Sequence, residues 1–354
     1  MNEIRVGLIG FGFAGKVFHA PLIMATQGMR LAAVASSDAT KVHASIGPDV
    51  LVTTPAALVT RDDIDLVVVA TPNELHHPQA LAALQAGKHV VVDKPFALNL
   101  AQARELVATA QARGLVLSVF HNRRWDSDFL TLARVLRAGR LGRIVEFVSH
   151  FDRYRPQVRA RWRETATPGA GLWMDLGPHL VDQALQLFGA PNAIALDVAG
   201  LRDGALADDW FHAQLRWAQG PFAGLRARLH VSALVAGPNE RFAVHGTRGS
   251  FVVDGLDAQE DALKAGADRS AVAAPDWGRD PRIARLWLGD EDAVQGEDLP
   301  LSNGAYPVYY RTLRDALAGT GPNPVLPADA LATQALLEAG MQAARERREV
   351  TLPG

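Results

Sequence analysis

The chain has 354 residues, 48% of them hydrophobic and 21% charged, with a formal net charge of −2; this is the composition of an ordinary folded protein and excludes a disordered or collagen-like chain. With 36 Lys+Arg against 38 Asp+Glu and no long run of one sign, there is no overall positive field to attract nucleic acid or an anionic membrane. The absence of cysteine removes disulfides, thiol catalysis and Cys-ligated zinc or iron–sulfur sites.

The length predicts two domains. Met1-Asn2-Glu3 leads straight into an apolar run at Ile4 without a basic region or a cleavage site, and no stretch approaches the roughly 20 apolar residues of a membrane span, so a cytoplasmic protein is expected. From residue 4 to about 120, short apolar runs at 5–9, 31–35, 65–70, 89–92 and 115–119 alternate with Ala/Leu-rich helical segments such as 78–87 and 100–113. Near-continuous apolar strands separated by helices predict a parallel sheet covered on both faces, a doubly wound α/β domain over 1–122. After a helical stretch at 127–138 the texture changes. Phe211, Ala213, Leu215 and Trp217 share one face of a strand, with His212, Gln214 and Arg216 on the other. Following a turn at 219–221, Ala223, Leu225, Ala227, Leu229 and Val231 alternate with Gly224, Arg226, Arg228 and His230. That alternation predicts an antiparallel sheet with one wetter face, so 123–354 reads as an α+β domain. Weak periodicity at 256–300 predicts an irregular excursion before helical patterns return at about 306–318 and 327–348.

The first strand ends in Gly10-Phe11-Gly12-Phe13-Ala14-Gly15, a G-x-G-x-x-G where a strand turns into a helix. Gly10 permits the tight turn, Gly12 lets backbone approach a pyrophosphate, and Gly15 lets the helix pack on the strand, with Phe11 and Ala14 in the same cradle. At the tip of the second strand stand Ser36-Ser37-Asp38. An acidic side chain there accepts from a free ribose 2′-hydroxyl and repels a 2′-phosphate, which tilts the cofactor from NADP towards NAD. The competing reading makes Asp38 a plain helix cap and lets Ser36, Ser37 and Lys41 accommodate a phosphate. The fourth run delivers Asp93-Lys94-Pro95 to the carboxyl edge of the sheet, where an amine near a nicotinamide ring can shuttle a proton or polarise a hydroxyl. The proline restricts the backbone there, with a cis bond as one option. Further on, Asp175 and His179 lie four apart, and Pro178 between them is tolerated only in a first turn, so a helix starts near 176–178. A histidine so placed can take the proton of an alcohol as its carbon gives up a hydride, while the carboxylate holds the imidazole. The bland alternative is a capping Asp and a packed His. No third ligand falls at a spacing that would complete a metal site, so no metal is expected.

Together, the GFGFAG turn, Ala70-Thr71-Pro72-Asn73 with His76, Asp93-Lys94-Pro95 and Asp175-x-Gly177-x-His179 resemble the Gfo/Idh/MocA oxidoreductase family. FHNRRWDSDF at 120–129, FDRYRP at 151–156 and RWRE at 161–164 look like its branch containing bacterial scyllo-inositol dehydrogenases. The resemblance implies an N-terminal Rossmann domain and a C-terminal α+β domain whose large, mostly antiparallel open sheet forms a subunit interface, hence a homodimer or homotetramer. It implies a catalytic set of Lys94, Asp175 and His179, with His179 the proton acceptor. Thr71, Pro72, Asn73 and His76 would line the nicotinamide side, Asp93 and Asn122 would lie near the cofactor, and Asn122, Arg123, Tyr154 and Trp162 would bind substrate. Two departures stand out: Asp93 replaces the family's usual Glu, with shorter reach, and Ser37-Asp38 replaces the Ser-Arg of NADP-using members, which favours NAD. The implied activity is reversible NAD(P)-linked oxidation of a secondary hydroxyl of a cyclic polyol or sugar, in its most specific version scyllo-inositol to 2-keto-myo-inositol (scyllo-inosose). Aldose dehydrogenation is the alternative within the family, followed by NAD-dependent glycoside hydrolysis and non-catalytic NAD(H) sensing.

Overall fold

The computed structural model of the chain describes residues 3–290 and 293–352. Its contacts fall into two compact units, one from Met1–Asn122, Ala258–Gly278 and Ala305–Leu331, the other from Arg123–Asp257, Arg279–Gly304 and Ala332–Gly354. The chain thus leaves the first unit after Asn122 and returns to it twice, over segments that a single cut at 122 assigns to the second domain.

In the first unit, β1 (Ile4–Ile9), β2 (Met29–Ala35), β3 (Leu51–Thr53), β4 (Leu66–Val69), β5 (His89–Val92) and β6 (Leu117–Val119) form one sheet in the order β3-β2-β1-β4-β5-β6. Every neighbouring pair is parallel. Val67, Val68, Val90 and Val91 are fully buried, because helices cover both faces of such a sheet and leave no wet side for a polar residue. The intervening helices are α1 (Ala20–Met24), α2 (Ala39–Ile46), α3 (Pro55–Val59), α4 (His76–Gln85) and α5 (Leu100–Ala112). Strand order reverses between β1 and β4, the point where open sheets of this kind bind ligands beyond the strand carboxyl ends. The three-residue β3 is too short to leave a periodic signal and was absent from the sequence expectation.

The second unit holds a nine-stranded sheet ordered β14-β13-β12-β11-β7-β10-β9-β8-β15. Its strands are β7 (Ile144–His150), β8 (Ala193–Ala199), β9 (Trp210–Arg216), β10 (Arg226–Ser232), β11 (Glu240–Gly246), β12 (Gly249–Asp254), β13 (Ile283–Asp290), β14 (Ala293–Pro300) and β15 (Val350–Thr351). All neighbours are antiparallel except β7 and β10. Phe147, Phe211, Leu215, Leu229, Phe242 and Phe251 point from one face into a core shared with Trp173, Leu180 and Val181, the alternation expected of a sheet covered on one side. On the other face His150, His230, His212 and Asp197 fall in register across β7, β10, β9 and β8. The expectation of an irregular excursion at 256–300 is corrected. This stretch contains the helices Gln259–Lys264 and Arg269–Ala273 and the hairpin β13–β14. β14 lies at the sheet edge and is exposed along nearly its whole length, so neither of its faces needed apolar residues and no alternation marked it.

Candidate functional site

In the first unit the three glycines after β1 separate by what surrounds them. Gly10 has φ +96°, and a Cβ there would lie 2.6 Å from the Ala70 carbonyl oxygen. A Cβ at Gly15 would lie 2.1 Å from the Gly10 carbonyl oxygen, whereas one at Gly12 meets nothing within 4 Å. The first and third glycines therefore serve the turn and the helix contact, and the second faces open space, as a backbone cradle for a pyrophosphate requires. Phe11 is buried beside them, and the helix that follows starts as a π-turn, Gly15–His19, before continuing as α1. At the tip of β2, Asp38 Oδ1 accepts the Lys41 backbone N–H at 2.9 Å and caps α2, while Ser36 Oγ accepts the Asp38 N–H at 3.1 Å. The capping reading of Asp38 therefore holds, and the exposed side chain has a second oxygen for a ribose hydroxyl.

Beyond β4, Thr71 Oγ1 donates to Gln79 Oε1 at 2.8 Å, Pro72 leads into the 3-10 turn Asn73–Leu75, and Asn73 is buried. His76 is buried with Nδ1 2.8 Å from the Pro95 carbonyl oxygen and Nε2 2.9 Å from that of Thr71. A neutral imidazole donates only once, and burial lowers the pKa of this ring against the pull of Asp93, so one contact is an N–H donation and the other a close approach. His76 ties the loop after β4 to the loop after β5 and directs no ring nitrogen outward. The Lys94–Pro95 bond is cis. Asp93 Oδ1 accepts the Lys94 backbone N–H at 2.8 Å, and His19 Nε2 lies 3.8 Å from the same carboxylate. Burial alone would raise the Asp93 carboxyl, yet the contact with His19, together with the Lys94 charge, holds it at about 2. His19 Nδ1 meets the Tyr310 hydroxyl at 2.7 Å. Neither His19 nor Tyr310 was singled out from the sequence, since they lie some 291 positions apart and no local spacing links them. Asn122 is buried at the start of the 3-10 turn Asn122–Trp125.

In the second unit the Asp175–His179 stretch divides into two helices, α7 (Leu172–Asp175) and, after α6 (Ser127–Arg137) and α7 in the chain, α8 (Gly177–Phe188). Asp175 closes α7 and His179 lies in the first turn of α8 beside Pro178, so the two do not share one helix face. Asp208 caps α7: its carbonyl accepts the Leu172 N–H at 2.9 Å and its Oδ2 the Trp173 N–H at 2.7 Å. Gly171, at φ +93°, leaves room for that carboxylate, because a Cβ would fall 1.9 Å from Asp208 Oδ1. Burial pushes the Asp208 carboxyl up to about 6 against the backbone N–H groups it accepts from. Asp175 pairs with Arg163 at 3.2 Å and lines a small open cleft with Val158, Arg161, Leu172 and Asp208.

α8 is fastened on its polar side. Asp182 receives both Nε (2.9 Å) and Nη2 (2.6 Å) of Arg124, while Gln183 donates to the Arg123 carbonyl at 2.8 Å and accepts from Arg241 at 2.6 Å. The Arg123 guanidinium is buried 3.5 Å from Asp126 and 4.5 Å above the Phe151 ring. Tyr154 is 60% exposed and bridges to Leu234. Trp162 is half-buried with the Arg163 guanidinium 4.5 Å over its ring.

A glycine cradle at the switch point of a parallel sheet in the order 3-2-1-4-5-6 defines a dinucleotide-binding fold. Model matches agree: residues 4–121 match the NAD-binding Rossmann fold, and residues 133–352 the C-terminal alpha/beta domain, of one oxidoreductase family. The chain belongs to the Gfo/Idh/MocA family of oxidoreductases, and a nicotinamide dinucleotide is its cofactor. It is 50% identical to the uncharacterized oxidoreductase YdgJ of Escherichia coli over 99% of both chains. It is 35% identical to the scyllo-inositol 2-dehydrogenase (NADP(+)) IolW of Bacillus subtilis, covering 99% of this chain and 97% of that one. Among solved structures, YPO2259 of Yersinia pestis superposes with a TM-score of 0.92 at 48% identity, covering 100% of this chain and 98% of the other. Among the described residues, no helix is long and apolar enough to cross a membrane.

Proposed function

We propose that the chain is a reversible NAD(P)-linked dehydrogenase of a ring secondary alcohol in a cyclic polyol or sugar, with scyllo-inositol to scyllo-inosose as the first conversion to test. The observation that carries the reading is the α7–α8 junction, which sets a carboxylate at the end of one helix four residues before a histidine in the first turn of the next. Likeness to IolW across nearly the whole chain supports the polyol assignment. A bound nicotinamide ring supplies the hydride acceptor. His179 takes the hydroxyl proton, and Asp175 offsets the charge that the imidazole then carries. Lys94, at the carboxyl edge of the parallel sheet, polarises the hydroxyl oxygen. Asn122, Tyr154 and Trp162 contact the ring hydroxyls. Asp38 favours a free 2′-hydroxyl and hence NAD, although IolW is described with NADP(+). The polar face of the nine-stranded sheet is proposed to close a cytoplasmic homodimer or homotetramer.

The test is nicotinamide reduction measured with NAD and with NADP against inositols and aldoses. His179→Ala, Asp175→Asn and Lys94→Ala are each expected to lower kcat by about 10²–10⁴-fold. Silence across the panel, or full turnover in these variants, refutes the reading.

A further inference from the structure

β5 ends at Val92 and hands the chain to Asp93-Lys94-Pro95, and two buried imidazoles grip this turn. After the lysine, His76 Nδ1 lies 2.8 Å from the Pro95 carbonyl oxygen. Before it, Asp93 Oδ1 accepts the Lys94 backbone N–H at 2.8 Å, and the same oxygen lies 3.8 Å from His19 Nε2. Lys94 thus stands between two anchored neighbours.

His19 is fully buried. Its ring packs 4.4 Å from that of Phe120, and its Nδ1 meets the Tyr310 hydroxyl at 2.7 Å. Tyr310 is fully buried as well, with its ring 5.2 Å from Tyr309 and 6.0 Å from Phe120. Burial pushes the Tyr310 hydroxyl well above its usual range, so this group keeps its proton and can donate it to a nitrogen. His19 Nε2 makes no hydrogen bond among the described residues. It faces the Asp93 carboxyl, which burial pushes up and the His19 contact and the Lys94 charge hold at about 2. A ring nitrogen facing an anion carries a proton, so Nε2 is the donor and Nδ1 of the neutral ring accepts from Tyr310. At 3.8 Å the Nε2–Asp93 contact is longer than a hydrogen bond and acts through charge and dipole. Tyr310, His19, Asp93 and the Lys94 amide therefore form one directed chain. Buried as they are, its members have no bulk water to turn towards, so ring orientation, carboxylate rotamer and amide are fixed together.

Resting on the dehydrogenase reading above, in which Lys94 polarises the substrate hydroxyl, we propose that His19 and Tyr310 are positioning residues for that lysine. They lock the Asp93 carboxylate, which holds the Lys94 backbone and so aims its side chain. A shift of about 1 Å in a group that acts on the reacting atoms slows a step by about 10²-fold, which is the scale on which such an anchor matters.

The experiment compares the wild type with His19→Asn, His19→Gln and Tyr310→Phe. An Asn amide nitrogen stands in for Nδ1 and a Gln amide nitrogen for Nε2, so His19→Gln keeps a donor towards Asp93 and His19→Asn does not. With the best substrate of the inositol and aldose panel, His19→Asn should lower kcat by about 10–10²-fold with little change in KM. His19→Gln should recover part of that loss. Added to Lys94→Ala, His19→Asn should cost nothing further, because a positioning residue then has nothing left to position. Wild-type kcat in His19→Asn, a loss that multiplies with that of Lys94→Ala, or a rise in cofactor KM in place of the fall in kcat overturns the inference and leaves the dehydrogenase reading intact. If no compound is oxidised, that reading fails by itself. Hydrogen exchange of the Lys94 amide, followed by NMR in the full chain, then decides whether His19 and Tyr310 hold this residue. Faster exchange in His19→Asn and Tyr310→Phe with the β5 amides unchanged upholds it; equal exchange, or lost protection spread along β5, overturns it. Tyr310→Phe removes one oxygen from a filled aromatic cluster and carries both readouts where His19→Asn does not fold.

Discussion

Two glycines three positions apart in one turn illustrate how a residue can be required for opposite reasons. Gly15 is needed by the folded chain itself, since a methyl group there would meet the Gly10 carbonyl at 2.1 Å. The fold itself makes no such demand at Gly12, where a Cβ meets nothing within 4 Å, so any need for glycine there would come from what approaches from outside. Gly15→Ala should therefore destabilise the protein by about 1–3 kcal/mol, the range for a forced overpacking. Gly12→Ala should keep the melting temperature of the cofactor-free protein while raising the KM for the nicotinamide cofactor several-fold. Thermal melting and cofactor titration of both variants distinguish the two roles; equal melting losses would refute the contrast. The motif was legible as a motif, but this division was not, because it depends on the Ala70 carbonyl just after β4 and on Gly10 itself.

At the scale of the element, α7 is a four-residue helix whose start is fixed by a residue that follows it by more than thirty positions. Asp208 holds the Leu172 and Trp173 N–H groups with a carboxyl raised from 3.8 to about 6 by burial. A carboxyl raised in the folded state binds its proton more tightly there than when unfolded. Stability from this group is thus present below pH 3.8 and is lost as pH climbs to about 6, by on the order of 2 kcal/mol. Asp208→Asn keeps an oxygen for the cap and abolishes the titration. The wild type should gain stability relative to that variant on going from neutral pH to about pH 4.5, read as the difference in their urea midpoints. A constant difference at the two pH values would discount the titration. Sequence spacing located Asp175, His179 and the start of α8 near Pro178, since those signals are local. It could not reveal Asp208 beneath Gly171, or the Arg124 and Arg241 clamps on Asp182 and Gln183, which join residues 35 to 58 positions apart. Apolar period likewise exposed the buried strands β1, β2, β4 and β5, while β3 and the exposed edge strand β14 carried too little apolar pattern to be seen.

For the molecule as a whole, the instructive fact is that the first unit is not finished when its sixth strand is. β6 is completed by residues that return much later: Tyr309 donates to Ser118 at 2.9 Å, its ring packs 4.8 Å from Phe120, and Asn323 donates to the Leu117 carbonyl at 2.8 Å. His19 likewise depends on Tyr310. A fragment of residues 1–122 contains the whole parallel sheet and the glycine turn, yet it leaves this edge uncovered. It is expected to lack the cooperative thermal transition of the full chain by circular dichroism. A cooperative melt near the full chain's temperature would show that the returning segments are dispensable. The same arrangement sets a schedule for synthesis. Roughly 200 residues separate β6 from the end of the helix Pro307–Leu317, so at ribosomal speed the sheet's last strand emerges about 10–40 s before its cover does. During that interval Phe120 and the β6 edge lack the cover that Tyr309 and Asn323 later supply.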